Sequence, residues 1–246
     1  MQADTAHAVI LAAGVGRRRN GSAGPVPKAL LAFGGRSLLA RHLAALRAAG
    51  VPDITVVIGF EADQVRAAVG GEPGVQLVPN PDYREGSVVS LWAARDALAA
   101  GRPVILMDAD VLYDRRLMAR LVGSLHPNAM LLDRDIEPGD EPVKLCIQGG
   151  RIVDFHKRPQ AVHDWHGESV GFFRFTPAAA ADLARRAGDY VRDGRRDMEY
   201  EEPIRDMIQA NPAQFGFEDV TGLPWTEIDF PEDVRKAEGL LPRLVA

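Results

Sequence analysis

The sequence predicts an α/β fold, in which a Rossmann-like, mixed but mainly parallel sheet is flanked by helices. Short apolar runs recur through the first half of the chain, and segments with apolar residues at helical spacing lie between them. Strands that alternate with helices form right-handed βαβ units, so these runs are expected to lie in a parallel sheet. In the second half, paired glycines between two apolar runs predict an added β-hairpin region.

In the first half of the chain, local residue patterns predict each strand and helix. The first helix places Leu39, Leu43 and Leu46 on one face, and Gly50 ends it. The β-branched run ITVVI is typical of a strand that is covered on both faces. The predicted strands are Val9–Ala12, Ile54–Ile58, Val75–Val78 and Pro103–Met107, and the predicted helices are Ser37–Ala49, Glu61–Val69 and Ser87–Ala99.

The second half has more strands in succession. Gly149 and Gly150 form the turn of the hairpin, and Glu232 and Asp233 suit the dipole of a last helix beginning at Pro231. We expect a single domain over 1–246, with functional halves of about 1–125 and 126–246. The remaining predicted strands are Ala129–Leu132, Val143–Ile147, Ile152–His156, Val170–Phe175 and Phe215–Val220, and the remaining helices are Ala178–Arg192 and Glu201–Ala210.

Composition limits the classes of function. The 246 residues carry a net charge of −5, which disfavours a basic nucleic-acid-binding surface. Cys146 is the only cysteine, which excludes an intramolecular disulfide and a cysteine-rich zinc site. The apolar run Ala8–Ala13 is too short to span a bilayer and no basic segment precedes it. We therefore expect a cytoplasmic protein with no membrane or nucleic-acid partner.

A loop rich in glycine and arginine follows the first strand. It contains Gly14 and Gly16, the arginines Arg17–Arg19, and then Pro27-Lys28. Glycines let the backbone approach a phosphate, and arginine and lysine bind phosphate oxygens. A plain turn and a solvated basic loop are the alternatives. Neither a complete G-x-G-x-x-G nor a closing Gly-Lys-Ser/Thr is present, so a dinucleotide fingerprint and a Walker A loop are disfavoured.

Two pairs of acidic residues are candidate metal ligands. Asp108 and Asp110 follow a buried strand, and alternation is expected to turn them to the same side. Glu227 and Asp229 flank Ile228 before the last helix. Carboxylate oxygens suit Mg²⁺. The alternatives are solvation or capping for the first pair, and a role as N-cap of the last helix for Asp229.

The stretch LAAGVGRRR…PKAL resembles the signature of the nucleotidyltransferases that activate sugar phosphates and phosphoryl alcohols with a nucleoside triphosphate. Arg17 departs from it, because the family has a small hydroxyl residue there. The resemblance implies that Arg18 and Lys28 are catalytic, stabilising the transition-state charge. It also implies that Asp110 and Asp229 hold Mg²⁺. The nucleotide-binding residues it implies are Leu11, Ala12, Ala13, Gly14, Gly16, Arg17, Asn80, Ser87 and Asp108.

The stretch NPDYREGSVVSL indicates the nucleotide. It resembles the N-x-x-Y…N-x-x-S-L segment of the choline-phosphate and inositol-phosphate cytidylyltransferases, which implies CTP as donor. The Gln and Gly-T/S-A helix start of the sugar-nucleotide branch are absent. A plain helix N-cap is the alternative for Ser87. The alternative functions are a sugar-1-phosphate nucleotidyltransferase that uses UTP, dTTP or GTP, and a non-catalytic nucleotide-binding relative.

The acceptor side is indicated by two further stretches. EPVKLCIQGGRIVDFHKRP is similar to a hairpin of the phosphoryl-alcohol cytidylyltransferases, and HGESVGFFRF resembles their acceptor strand. The resemblance implies a small phosphorylated or phosphonate-bearing acceptor, and a monomer or homodimer is expected. Outer-face positions are the alternative for the two lysines. The acidic stretch 197–201 is interpreted as a solvated helix start, with binding of a cationic head group as the alternative. The predicted acceptor-binding residues are Lys144, Lys157, Glu168 and Gly171.

Overall fold

A computed structural model describes residues 5–15, 26–136 and 141–245, and all the predicted strands and helices are present in those ranges. The strands are β1 (His7–Ala12), β2 (Ala32–Phe33), β3 (Arg36–Ser37), β4 (Asp53–Ile58), β5 (Val75–Pro79), β6 (Val104–Asp108), β7 (Val111–Tyr113), β8 (Asn128–Asp133), β9 (Lys144–Gln148), β10 (Arg151–His156), β11 (Trp165–Phe175), β12 (Phe215–Asp219) and β13 (Trp225–Glu227). The α-helices are α1 (Leu38–Ala48), α2 (Ala62–Val69), α3 (Val88–Ala93), α4 (Arg95–Leu98), α5 (Arg115–Val122), α6 (Pro177–Arg192), α7 (Glu201–Ala210) and α8 (Pro231–Leu240).

Nine of the strands form the central sheet. Its main path has the order β10-β9-β11-β6-β1-β4-β5. Strand β8 pairs with β11, and β12 pairs with β8. In the first half, β1 pairs in parallel with β4 and β6, and β4 pairs in parallel with β5. In the second half, β11 runs antiparallel to β6, β8 and β9, and β9 and β10 form the predicted hairpin. The predicted fold class is confirmed.

The core lies in two layers, one on each face of the sheet. Helices α3, α4, α6 and α7 cover one face, and α1, α2 and α5 cover the other. Strand β1 contributes to both layers, because Val9 packs in the first while Ala8 and Ile10 pack in the second. This two-sided burial explains why β1 is apolar throughout.

The sequence did not predict five of the elements and did not predict a break in one helix. Strands β2, β3, β7 and β13 have only two or three residues each, too few to show a periodicity. Helix α5 begins after Asp114, whose Oδ1 accepts from the backbone N–H of Arg116 at 2.9 Å. The predicted helix Ser87–Ala99 is divided at Ala94 into α3 and α4.

None of the helices in the described ranges is both long and apolar enough to cross a membrane. One sheet contains strands from both halves of the chain. The treatment of 1–246 as a single domain with two functional halves stays a prediction.

Candidate active site

A polar cavity of about 430 Å³ opens beyond the carboxyl ends of β1 and β6. Ligands bind at this edge in open α/β sheets. Gly16, Arg17 and Arg18 lie outside the described residues, and Asn80 and Lys144 do not line the cavity. The predicted site residues that line it are Leu11, Ala12, Ala13, Gly14, Lys28, Ser87, Asp108, Asp110, Lys157, Glu168, Gly171 and Asp229.

Three carboxylates converge on one side of the cavity. Asp110, Glu227 and Asp229 each offer an oxygen, and the three oxygens lie within 4.8 Å of one another. We call this group the carboxylate cluster. The short antiparallel pair β7–β13 brings it together, because Glu227 lies opposite Val111 and the N–H of Ile228 donates to the carbonyl of Asp110 at 3.0 Å. Three hard oxygen ligands fit a divalent cation such as Mg²⁺.

Lys28 lies between two members of the cluster. Its Nζ is 2.7 Å from Asp110 Oδ2 and 2.6 Å from Asp229 Oδ1, and its side chain is 15% exposed. Burial alone would lower the pKa of Lys28, but the two carboxylates raise it above its ordinary value. The lysine is therefore charged, and it compensates part of the negative charge at this end of the cavity.

The alternative role of Asp229 as a helix N-cap is wrong. The N-cap position of α8 belongs to Phe230. The carboxylate that accepts hydrogen bonds just before α8 is that of Asp233. Its Oδ2 accepts from the backbone N–H groups of Asp229 at 2.9 Å and of Phe230 at 2.6 Å. The carboxylate of Asp229 is therefore directed to Lys28 and the cluster.

Glu227 is a member of the cluster that the family resemblance did not assign to the metal, although it belongs to one of the two candidate pairs of acids. The E-I-D pattern was the available signal, because residues two apart on a strand share a face. The surrounding protein and the charges of Asp110 and Asp229 raise the pKa of Glu227 well above its ordinary value. A bound cation would reverse this shift by favouring the ionised form.

Asp108 lines the same cavity as the cluster. The hydroxyl of Tyr200 donates to Asp108 Oδ2 at 2.6 Å. Burial and the nearby charges of Asp110 and Glu201 raise the pKa of Asp108. Gly171 has a φ of +77°, and a Cβ atom there would overlap with the Asp108 carboxylate. Gly171 thus makes room for Asp108, which accounts for a glycine in the middle of β11.

A backbone ladder joins the two halves of the chain beside the cavity. The N–H of Gly86 donates to Arg196 O at 2.8 Å, and the N–H of Val88 donates to Met198 O at 3.1 Å. Ser87 Oγ accepts from the N–H of Tyr200 at 2.7 Å. We call this contact of 86–88 with 196–200 the bridging ladder.

The bridging ladder explains two residues of the α3 start. Ser87 makes no side-chain capping bond at the N-cap position, so the capping alternative is wrong. A Cβ atom at Gly86 would overlap with the backbone of Asp197 and Met198. Gly86 and Ser87 therefore fix the position of the segment that leads into α7.

Two predicted binding residues have supporting positions instead. Lys144 Nζ donates to the carbonyls of Pro142 and Lys157, at 3.3 and 2.9 Å, so it holds the backbone beside Lys157 rather than facing the cavity. Asn80 is 3% exposed. Its side chain donates to Ser90 Oγ and accepts from the N–H of Asp82, both at 3.0 Å. It orders the connection between β5 and α3.

The acidic stretch 197–201 is solvated only in part, because Asp197 and Glu199 are exposed while Tyr200 is buried. Asp197, Glu199, Tyr200 and Glu201 all line the cavity, and Tyr200 is 5% exposed. Lys157 reaches the same region, where its Nζ is 3.0 Å from Glu199 Oε1. The interpretation as a solvated helix start holds for Asp197 and Glu199 and fails for Tyr200, because the bridging ladder, which the sequence pattern does not reveal, turns Tyr200 inward.

A buried ion pair ties the hairpin to α7. Asp154 is fully buried, and its Oδ1 accepts from Arg205 Nε at 2.7 Å. Its Oδ2 accepts from the N–H groups of Gln160 and Ala161 at 2.9 and 3.1 Å. Although burial alone would raise the pKa of Asp154, these hydrogen bonds lower it to about 2. The pair fixes the loop after Lys157 relative to the start of α7.

Comparisons with known proteins agree with this geometry. Residues 8–158 match the family model of the MobA-like NTP transferase domain. One relative, the CMP-5'-(3-aminopropyl)phosphonate synthase of Streptomyces rubellomurinus, is 28% identical over 94% of the chain and 38% of its own length. Another, the bifunctional IPC transferase and DIPP synthase of Rubrobacter xylanophilus, is 31% identical over 95% of the chain and 51% of its own length. The chain thus spans about half or less of these two relatives.

A solved structure has the same fold. The CTP:phosphocholine cytidylyltransferase from Streptococcus pneumoniae superposes with a TM-score of 0.78 at 22% identity, covering 96% of the chain and 99% of that structure. The match extends over both halves of the chain.

Proposed function

We propose that this chain, which belongs to the family of MobA-like NTP transferase domains, transfers CMP from CTP to a small phosphorylated or phosphonate-bearing alcohol and releases pyrophosphate. The observation that carries the proposal is the meeting of Lys28 and the carboxylate cluster at the carboxyl ends of β1 and β6. The names of the two relatives and of the solved structure support the donor and the acceptor class.

The reaction needs no covalent intermediate on the protein. An oxygen of the acceptor phosphate or phosphonate attacks the α-phosphorus of CTP. The new P–O bond forms while the bond to the bridging oxygen breaks, and pyrophosphate leaves with that electron pair. Catalysis of such a transfer is mainly positioning and electrostatic stabilisation. Both reactants are anionic, so the site must supply positive charge.

The carboxylate cluster would hold Mg²⁺, with Asp110, Glu227 and Asp229 as its ligands. When bound, the ion supplies positive charge to phosphate oxygens. Lys28 adds a second positive charge within reach of the same carboxylates. In the complex, its ammonium group donates to phosphate oxygens of CTP. The negative charge of these oxygens strengthens the hydrogen bonds.

The nucleotide lies along the first half of the chain. Ala13 and Gly14 present backbone to the triphosphate, and Ser87 and Asp108 face the nucleoside. Gly16 and Arg18 bind the triphosphate from the adjoining loop, as the family signature implies, and Arg17, which departs from the signature, adds a further cation there. The acceptor lies toward Lys157, Glu168 and the start of α7. Cytoplasmic localisation, a monomer or homodimer, and the lack of nucleic-acid and membrane partners stay predictions.

The test is pyrophosphate release with Mg²⁺ and each of CTP, UTP, dTTP and GTP. Each nucleotide is paired with phosphocholine, inositol phosphate, 2-aminoethylphosphonate and a set of sugar 1-phosphates. We expect release with CTP and one of the first three acceptors. Release only with a sugar 1-phosphate would replace the proposal by the sugar-nucleotide alternative. Binding of CTP without release under any pairing would indicate a non-catalytic protein.

A further inference from the structure

A buried histidine contacts the connection that carries Asp110. His42 lies on α1 and is fully buried, and its Nε2 is 3.0 Å from the carbonyl oxygen of Ala109. Ala109 stands between the ends of β6 and β7, and no backbone N–H of the described residues bonds to its carbonyl. The contact with His42 therefore satisfies a backbone oxygen that the sheet leaves unpaired.

The protonation state of His42 follows from this contact. A carbonyl oxygen can only accept, so Nε2 must carry the proton. Burial lowers the pKa of His42 to about 4, so the ring is neutral at pH 7 and Nδ1 carries no proton. Nδ1 is also buried, and it makes no hydrogen bond with the described residues. His42 therefore acts as a donor through Nε2 alone.

Aromatic packing fixes the direction of this donor. The His42 ring is stacked on Tyr113, with centroids 5.3 Å apart, and is nearly perpendicular to Phe172 at 6.2 Å. A ring held on two sides can rotate little. An apolar side chain would fill the same place without burying an unpartnered nitrogen, which is costly. The bond to Ala109 is what an apolar side chain could not supply.

The bond to Ala109 acts on the direction of the Asp110 side chain. The carbonyls of Ala109 and Asp110 belong to the peptide planes before and after the Cα atom of Asp110. His42 holds the first plane, and the N–H of Ile228 holds the second by donating to Asp110 O at 3.0 Å. With both planes fixed, the Cα–Cβ bond of Asp110 has one direction, toward Lys28 and the carboxylate cluster.

We propose that His42 is a positioning residue for Asp110, which it orients through the backbone of Ala109 by donating from its Nε2–H group. The inference rests on the proposed function, which assigns Asp110 to a divalent cation. His42 does not line the cavity, so its substitution leaves all three carboxylates present and misdirects one of them. Loss of a group that orients a metal ligand typically weakens metal binding by about 10- to 100-fold.

The experiment measures the binding of Mn²⁺ as a probe, from the electron paramagnetic resonance signal of the free ion, with and without CTP. His42→Phe keeps an aromatic ring beside Tyr113 and removes the donor. We expect its Kd for Mn²⁺ to rise about tenfold. His42→Gln restores an N–H donor on a side chain of similar reach, and its Kd should return close to that of the wild-type protein.

His7→Phe is the matched control. His7 is also buried, and its Nε2 is 2.8 Å from Thr55 Oγ1. It is the first residue of β1, at the end of the strand away from the cavity. A merely structural effect of losing a buried histidine would appear in this variant too, whereas we expect its Kd for Mn²⁺ to be unchanged. The Mg²⁺ concentration that gives half-maximal pyrophosphate release should follow the same order among the variants.

The outcomes separate this inference from the proposed function. Equal Mn²⁺ affinity in the wild-type protein and His42→Phe, with pyrophosphate still released from CTP, would overturn the inference and leave the function intact. A His42→Gln variant that binds as weakly as His42→Phe would overturn the role of the N–H donor. If no acceptor is turned over, the proposed function fails, and weaker Mn²⁺ binding by His42→Phe alone would still support the inference. Absence of Mn²⁺ binding by the wild-type protein would overturn it.

The wild-type protein decides the point if the variants do not fold. In a ¹⁵N-labelled sample, side-chain NMR spectra should show His42 as the Nε2–H tautomer. Addition of Mg²⁺ should shift the Nε2 resonance of His42 and leave that of His7 in place. A proton on Nδ1 of His42, or an Nε2 resonance that does not respond to Mg²⁺, would overturn the inference.

Discussion

The two sides of the cavity are held in place by different kinds of interaction. On the nucleotide side, parallel pairing of β1 with β6 and the β7–β13 pair carry Asp108, Asp110, Glu227 and Asp229 on backbone hydrogen bonds. On the acceptor side, the segments that carry Lys157 and Glu201 depend on side-chain contacts in addition to backbone pairing, namely the Asp154–Arg205 pair and the Ser87 hydroxyl in the bridging ladder. We call the nucleotide side the fixed centre, and we call the acceptor side, formed by the end of β10, the loop after Lys157 and the start of α7, the acceptor wall. Single substitutions are expected to reshape the acceptor wall more readily than the fixed centre.

The largest expected effect is at the fixed centre. Asp110→Ala removes one member of the carboxylate cluster and one of the two partners of Lys28. We expect turnover to fall by about 10³-fold or more, because a metal-dependent transfer loses a ligand of its cation. Pyrophosphate release measures this, and a thermal melt checks the fold. Asp96→Ala, which alters an exposed carboxylate on α4, is the control, and retained turnover in Asp110→Ala would refute the metal assignment.

Loss of the buried ion pair in the acceptor wall should reduce the stability of the protein more than loss of an exposed ion pair. Arg205→Met leaves the fully buried Asp154 without its cation. We expect the free energy of unfolding to fall by about 3 kcal/mol, the usual cost of breaking a buried pair. Denaturant titration measures it. Arg185→Met breaks exposed pairs with Asp182 and Asp189 on α6 and should cost at most about 1 kcal/mol.

Activity distinguishes the two arginine variants further. Because Asp154 also holds the backbone of Gln160 and Ala161, the folded fraction of Arg205→Met should have a higher KM for the acceptor and an unchanged KM for CTP. An equal rise in both KM values would show that the hairpin does not serve the acceptor side alone.

The same contrast explains what the sequence could predict. The strands around the fixed centre are apolar runs, so β1, β4 and β6 and the acids after β6 follow from local pattern. The inward turn of Tyr200 depends on a hydrogen bond to Ser87, 113 residues away along the chain. A pairing of this kind leaves no periodic signal, and so the burial of Tyr200 within the acidic stretch was not predicted. The role of Glu227 depends on β13, whose three residues are too few to predict.

Substitution of Gly171 tests whether activity depends on the position of the Asp108 carboxylate, which the glycine contacts. Gly171→Ala combines the strain of a φ of +77° with an overlap with the Asp108 carboxylate. Gly101 has a φ of +75° with open space around it, so Gly101→Ala carries the backbone strain alone. We expect each variant to lose about 1 to 2 kcal/mol of stability from that strain. Only Gly171→Ala should also lose activity, and equal activities in the two variants would argue against a role for Asp108.

Acid should weaken the acceptor wall through Asp154. Its pKa is lowered from 3.8 to about 2 in the folded protein, so the unfolded chain takes up the proton first as the pH falls. The stabilisation by this group is complete above about pH 4 and is lost between about pH 4 and 2. We expect it to amount to about 1 to 2 kcal/mol. Unfolding titrations over this range should show a flatter pH dependence for Asp154→Asn, and identical slopes would exclude the effect.

The smallest effect should be found at the bridging ladder, which connects the two regions. Ser87→Ala removes the acceptor of the Tyr200 N–H and should cost about 1 kcal/mol, as for a single hydrogen bond. Ser37→Ala is a matched control, because Ser37 Oγ caps α1 by accepting from Ala40 N and costs a similar amount. The two variants should be equally stable by thermal melting. If the ladder sets the distance between nucleotide and acceptor, only Ser87→Ala will have a lower kcat, because Tyr200 carries the hydroxyl bound to Asp108. Equal kcat values would mean that the two regions are positioned independently and that the sheet alone aligns the reactants.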